Sequence, residues 1–161
     1  MSFHLRPFTK QDFETLWRID QVCFDPQLAY SHTELAIYMR RPGSFTLVAE
    51  STGTVEGTSG PEVILGFIVA EVRRSMGHII TIDVVPESRR AGIGSALLQA
   101  AEGHLRQRGA KTVDLETPVD NAGAIQFYKR KGYFVEETVP GYYSNHLDAL
   151  VMRKELLDVR S

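Results

Sequence analysis

Arg89–Leu98 reads RRAGIGSALL, and its setting decides the fold. Before it runs an apolar, β-branched stretch, His78–Val85 (HIITIDVV), which stops at Pro86. After it the period changes: Ile93, Leu97, Ala100, Ala101 and Leu105 recur at helical spacing until Gly109. A strand that becomes a helix through a glycine-containing, arginine-flanked loop presents free backbone N–H groups at the positive end of the helix dipole. Such a turn is a site for phosphate or pyrophosphate. The plainer alternative is a surface loop whose glycines only turn the chain.

Two nucleotide loops are excluded by their own requirements. No glycine is followed by Lys-Ser or Lys-Thr, so there is no Walker loop. Gly92-x-Gly94 is followed by Leu97 where a dinucleotide fingerprint needs glycine or alanine for close helix–strand approach. What remains is Arg/Gln-x-x-Gly-x-Gly/Ala, met by Arg89, Gly92 and Gly94.

Working outward, Phe3–Pro7 reads as a strand, and Thr9 with Asp12 as the cap of a helix through Val22. Ser31 and Glu34 form a second capping box, opening a helix to Arg40. Phe45–Glu50 and Val63–Val72 read as a hairpin whose Gly-rich connector, STGTVEGTSGPE, is expected to be a mobile loop. Beyond the long helix come strand Thr112–Thr117, helix Ala122–Lys131, and strands Tyr133–Glu137 and Ala149–Glu155. The alternation predicts one α/β domain over residues 1–161: a mixed sheet with helices on both faces.

Composition bounds the function. With 161 residues and a formal net charge of −2, nothing calls for nucleic acid as partner. Neither a membrane helix nor a secretory leader is indicated. Cys23, the only cysteine, fits a reducing cytoplasm and reads as a buried helix-end thiol. The five histidines show no metal spacing, so no metal is expected.

The phosphate loop, together with strand KTVDLET and the segment NAGAIQFYKRKGYF, resembles the GNAT N-acetyltransferase superfamily. Asn121, Ala124, Tyr128, Gly132 and Tyr133 match its N-x-x-A-x-x-x-Y-x-x-x-G-F/Y pattern, and the likeness covers about Arg6 to Leu156. Leu115-Glu116, Asn121, Tyr128 and the later GYYSNHLDALVMRK make the chain most similar to the group acetylating the N-terminal alanine of a ribosomal protein, and to its N-terminal acetyltransferase relatives. The resemblance implies a mostly antiparallel mixed sheet and acetyl-CoA as co-substrate. Its phosphates would be held by the backbone of Arg89, Arg90, Ala91, Gly92, Ile93, Gly94 and Ser95, and its pantetheine arm by the strand Ile82, Asp83, Val84 and by Asn121. Asn121 is equally a natural helix N-cap. The carboxylate of Asp83 would help bind the incoming amine or face water.

Acetyl transfer to an amine needs a neutral amine and a protonated leaving thiol. A protein α-amine, at a pKa of about 7.7–8.0, is far more often neutral near pH 7 than lysine at about 10.4. A modest base then suffices, and the resemblance gives Glu116 that role; burial beside Val113 and Leu115 is expected to raise its pKa. The plain alternative has Glu116 and Asp114 pointing at solvent or pairing with a basic residue. Tyr128 matches the family's general acid, the alternative being a core aromatic. Phe24, Tyr30, Tyr142 and Tyr143 resemble the walls that clamp a substrate N-terminus. Thr117-Pro118 departs from the ribosomal-protein group, which carries an aliphatic residue and an arginine there, and so leaves the ribosomal substrate open. The expectation is an N-acetyltransferase acting on a protein N-terminal α-amine by direct attack, as monomer or homodimer. The alternatives are an acetyltransferase of small amines and a non-catalytic acyl-CoA sensor.

Overall fold

The computed structural model describes residues 2–55, 58–59 and 62–156. Among the described residues, nine strands and four α-helices follow in the order β1 (Phe3–Pro7), α1 (Phe13–Cys23), α2 (His32–Arg40), β2 (Ser44–Ser51), β3 (Thr54–Val55), β4 (Thr58–Ser59), β5 (Ile64–Arg73), β6 (Met76–Val84), α3 (Ile93–Gln107), β7 (Thr112–Pro118), α4 (Ala122–Arg130), β8 (Phe134–Val139) and β9 (Ala149–Glu155). Seven of the strands form one sheet in the order β1-β2-β5-β6-β7-β9-β8, antiparallel throughout except at β6–β7. The connector expected as a loop carries the β3–β4 hairpin, and residues 56, 57, 60 and 61 lie outside the described residues.

Capping follows the sequence. Ser31 Oγ accepts from Glu34 N at 3.1 Å while Glu34 Oε1 accepts from Ser31 N at 2.9 Å. Asp12 Oδ2 accepts from Thr9 N at 2.8 Å, although the first turn, Lys10–Asp12, is 3₁₀ rather than α. Arg6 of β1 clamps this turn, bonding Asp12 at 2.8 and 2.9 Å and Glu50 at 3.1 and 3.0 Å.

The sheet buries both faces. On one, the α3 stripe of Leu97, Leu98, Ala101 and Leu105 packs on Ile68, Ile79, Val113 and Leu115, with Tyr128 of α4 in the same core. Each fully buried leucine stabilises by about 1.5–3 kcal/mol. On the other, Leu16 and Ile19 of α1 sit on Val48, Phe67 and Val69. Residue Ile80 bulges out of β6 opposite Val69–Ala70, and Ile80 joins the α1 side while Ile82 and Val84 join the α3 side. Gly66 of β5 allows close approach here: a Cβ on it would stand 2.5 Å from the Asp83 carbonyl oxygen.

The feature that positions the site is a parting of strands. Strands β6 and β7 pair only at Met76–His78 with Thr112–Asp114, although β6 runs to Val84 and β7 to Pro118. Beyond His78 their facing edges diverge, leaving backbone groups of Ile82–Val84 unpaired on that side, while β5 and β9 hold the far edges in register.

Candidate active site

At the β6–α3 turn, Arg90 and Gly92 take left-handed conformations, φ 72° and 84°, and Gly92 is the N-cap of α3. Alternating handedness is the geometry of a backbone anion nest. The first intrahelical bond is Ala96 N to Gly92 O at 3.0 Å, so the amides of Ile93, Gly94 and Ser95 have no intrahelical acceptor. Arg89 Nε bonds the Val84 carbonyl at 3.2 Å, tying the loop to the strand before it. Asn121 caps α4 by accepting from Ala124 N at 3.1 Å. The nest, the parted edges of β6 and β7 and the N-cap of α4 all lie toward the C-terminal ends of those two strands, and the space between them is the candidate slot for a phosphorylated ligand.

Where the strands part is a polar cluster on the α1 face. Glu116 of β7 is not sealed among apolar groups as expected, but contacts His78 Nε2 at 2.9 Å and accepts from the Tyr142 hydroxyl at 3.3 Å. Of the two alternatives for this carboxylate, pairing with a basic residue is what occurs. Next to it Glu71 Oε1 lies 3.8 Å from His78 Nδ1 and 3.5 Å from Arg41. His78, Asp114 and Glu116 place ligand atoms within 4.8 Å of one another, a grouping that spacing along the chain does not show. Burial works against the His78 imidazolium, but the hydrogen bond and charge of Glu116, with the charges of Asp114 and Glu71, outweigh it and hold His78 above the ordinary imidazole value. An imidazole between two carboxylates can take up a proton and pass it on.

Of the aromatic residues, Tyr142 reaches this cluster directly. Tyr142 and Tyr143 stand edge to face at 4.9 Å. Burial, then Glu116, pushes the Tyr142 phenol up to about 12. Tyr30 is fixed at three points: its amide donates to Asp20 Oδ2 at 2.8 Å, its hydroxyl reaches the Ile80 carbonyl at 3.4 Å, and its carbonyl accepts from Trp17 and Gln21. Phe24 ends α1 in extended conformation. Ser144 Oγ donates to the Gln27 carbonyl at 2.6 Å, joining the α1–α2 turn to the β8–β9 loop.

Tyr128 is buried, edge to face with Phe127 and Tyr133, and burial raises its phenol above the ordinary value. Its hydroxyl has no protein partner among the described residues, yet is not among the sealed, unpartnered atoms. Asp83 does not face water: 1% exposed, it lies toward α1, bonded to Thr81. Cys23 is half-buried at the end of α1, its thiol donating to the Val84 carbonyl at 3.3 Å and pushed up to about 11 by burial, as an inert thiol should be. His78 escaped the sequence reading; the only signal was an imidazole in an otherwise apolar strand.

An anion nest beside an opened parallel strand pair, with a carboxylate–imidazole cluster where the strands part, is an arrangement suited to a long phosphorylated ligand. The chain belongs to the acetyltransferase (GNAT) family, whose model matches residues 11–133, and it is an acetyl-CoA-dependent N-acetyltransferase. An N-alpha-acetyltransferase of Sulfurisphaera tokodaii is 35% identical over 113 residues, 68% of each chain. Ard1 from Thermoplasma volcanium superposes with a TM-score of 0.82 at 29% identity, covering 98% of this chain and 100% of that one. NAA60 of Arabidopsis thaliana, solved in complex with acetyl-CoA, shares the fold at a TM-score of 0.81 and 20% identity, covering 96% of this chain and 98% of that one. No helix among the described residues is long and apolar enough to cross a membrane.

Proposed function

We propose that the enzyme acetylates the N-terminal α-amine of a peptide or protein by direct attack, with Glu116 as general base and Tyr128 as general acid. The observation that carries this reading is the position of Glu116, bonded to His78 and Tyr142 where β6 and β7 part. Residues Arg89–Ser95 would hold the pyrophosphate, and Ile82–Val84 with Asn121 the pantetheine arm, bringing the thioester to the mouth of the slot. Glu116 takes the proton of the attacking amine and His78 relays it outward. Tyr128, kept protonated by burial, donates to the departing thiolate. Tyr30, Tyr142 and Tyr143 wall the approach, and the Ser144–Gln27 bond narrows it to an extended chain end. The carboxylates of Glu71, Asp114 and Glu116 would also attract a small polyamine, which is the second reading.

Mass spectrometry of a mixture decides between them: free-N-terminus peptides, N-blocked peptides with internal lysine, and small polyamines, incubated with acetyl-CoA. Product confined to free α-amines is expected, and acetylation of the small amines alone would overturn the peptide reading. Tyr128→Phe should lower kcat by about a hundredfold, the low end for acid–base catalysis because a thiol of pKa near 8.5 leaves readily. Steady-state kinetics at saturating substrates would show it.

A pH dependence follows from His78. With its pKa held above about 6.5, the imidazolium locks Glu116 in an ion pair at low pH, and kcat/KM should rise as pH climbs through the raised value. Stability runs the opposite way: the His78 contribution is complete below the unfolded imidazole value and is lost as pH rises through the folded one. His78→Gln should flatten both limbs; pH–rate and pH–melting profiles unchanged in the variant would remove His78 from the relay.

A further inference from the structure

Beneath the acceptor wall two carboxyl groups meet with no cation between them. Asp20 of α1 is 0% exposed and Asp83 of β6 is 1% exposed. Asp20 Oδ2 accepts from Tyr30 N, and Asp83 Oδ1 from the Thr81 hydroxyl at 2.5 Å. The other oxygen of each, Asp20 Oδ1 and Asp83 Oδ2, is sealed from solvent and has no other donor among the described residues. The two carboxyls act on one another across the α1–β6 contact, and two carboxyls sealed in one site with a free oxygen each can share a hydrogen bond only if one of them carries a proton.

The remaining neighbours do not supply a counter-charge in contact. Arg89 is the nearest cation, and its Nε is spent on the Val84 carbonyl. Cys23 faces the pair as a protonated thiol, Glu34 of α2 adds negative charge beside Asp20, and the phenols of Tyr30 and Tyr128 are held protonated. Burial, and then the Asp20 contact, holds Asp83 well above the usual carboxylate range. Asp20, which also has the Tyr30 amide, is the partner that keeps the charge.

We propose that Asp20 and Asp83 share one proton across the α1–β6 contact, with Asp83 as the neutral donor, and that this bond positions the Tyr30 wall against the strand that receives acetyl-CoA. The bond reaches Tyr30 through its amide, and Tyr30 returns to β6 through its hydroxyl on the Ile80 carbonyl, closing a loop of contacts between wall and strand. Losing the proton sets two buried anions against each other and forces α1 away from β6. The shared proton stands on the burial of the two carboxyls and their two unpartnered oxygens, whereas the positioning role of Tyr30 rests on the peptide reading above. Asp83 is a positioning residue, since its side chain is sealed from solvent and acts on the wall through Asp20.

The test compares the parent with Asp83→Asn, which keeps a donor toward Asp20 but has no proton to lose, and Asp83→Ala, which leaves Asp20 unpartnered. Infrared spectroscopy with labelled aspartate should show a protonated carboxyl at neutral pH in the parent and none in Asp83→Asn. Because the folded-state pKa is raised, parental stability should fall as pH rises from the ordinary carboxylate value through the folded one, and Asp83→Asn should lack that slope. Acceptor KM should rise at alkaline pH in the parent and stay level in Asp83→Asn, while Asp83→Ala raises it about tenfold at neutral pH, the cost of one orphaned buried acceptor. No carboxylic-acid band, or the same stability slope in Asp83→Asn, overturns the shared proton. A band with no change in acceptor KM in Asp83→Ala overturns the positioning role. A parent that acetylates no peptide sinks the peptide reading instead, and the infrared and stability results still decide the proton.

Discussion

Replacing Glu116 with glutamine is expected to lower kcat by about 10²–10³, equivalent to about 2.7–4.1 kcal/mol of transition-state stabilisation. Glutamine is nearly isosteric and can still meet His78 and Tyr142, so the cluster should keep its shape. What it loses is a basic oxygen. The loss stays in the lower part of the range for acid–base catalysis because an α-amine with a pKa of about 7.7–8.0 deprotonates on its own in a useful fraction of encounters. Two signatures follow. The KM for acetyl-CoA should be unchanged, because the turn proposed to hold its phosphates, Arg89–Ser95, lies away from Glu116 at the end of β6. The defect should shrink as pH rises and the free amine no longer needs a base. Steady-state kinetics at two pH values read both, and a variant within a few-fold of the parent at neutral pH would show that the proton leaves by another route.

Phe67→Ala is expected to destabilise the fold by about 3–5 kcal/mol, since it removes a ring and leaves a cavity that rigid neighbours fill poorly. Phe67 lies in central strand β5, fully buried, in the cluster with Leu16 and Ile19 of α1 and Val48 and Val69 of the sheet. That is a large share of the roughly 5–15 kcal/mol holding a typical domain together. The melting midpoint should fall by on the order of 10 °C. Because α1 carries Asp20 and leads into Tyr30, loss of the ring also loosens the acceptor wall, so acceptor KM should rise more than acetyl-CoA KM. Calorimetry checks the first, and kinetics well below the lowered midpoint check the second.

Elements whose signals are local were legible before folding. β1 and β9 have the expected bounds, the Ser31–Glu34 box opens α2, and α3 follows its apolar stripe, because alternation, capping and helical period are written within a few residues. The turn from β6 into α3 was legible for the same reason: its glycine spacing sets where the helix starts, with Gly92 at the N-cap. His78 was not. Its partner Glu116 is 38 residues away on a parallel neighbour, and only the register His78↔Asp114 places the two on one face. Asp83 was misplaced because a carboxylate in a strand ordinarily seeks water or a cation; here the helix above it brings a second carboxyl, and nothing local announces that Asp20 lies over Asp83. The environment of Glu116 was misjudged likewise, since its flanking Val113 and Leu115 point to the opposite face.

The short β6–β7 junction has a mechanical consequence. Four strands on one side and three on the other are joined edge to edge by three residue pairs, so the sheet is two plates on a narrow hinge pin. In the proposed binding mode acetyl-CoA would enter between the plates and complete the span, and its departure after transfer would give that brace up again. The molecule would then be stiffest when loaded for reaction and most compliant when empty of product.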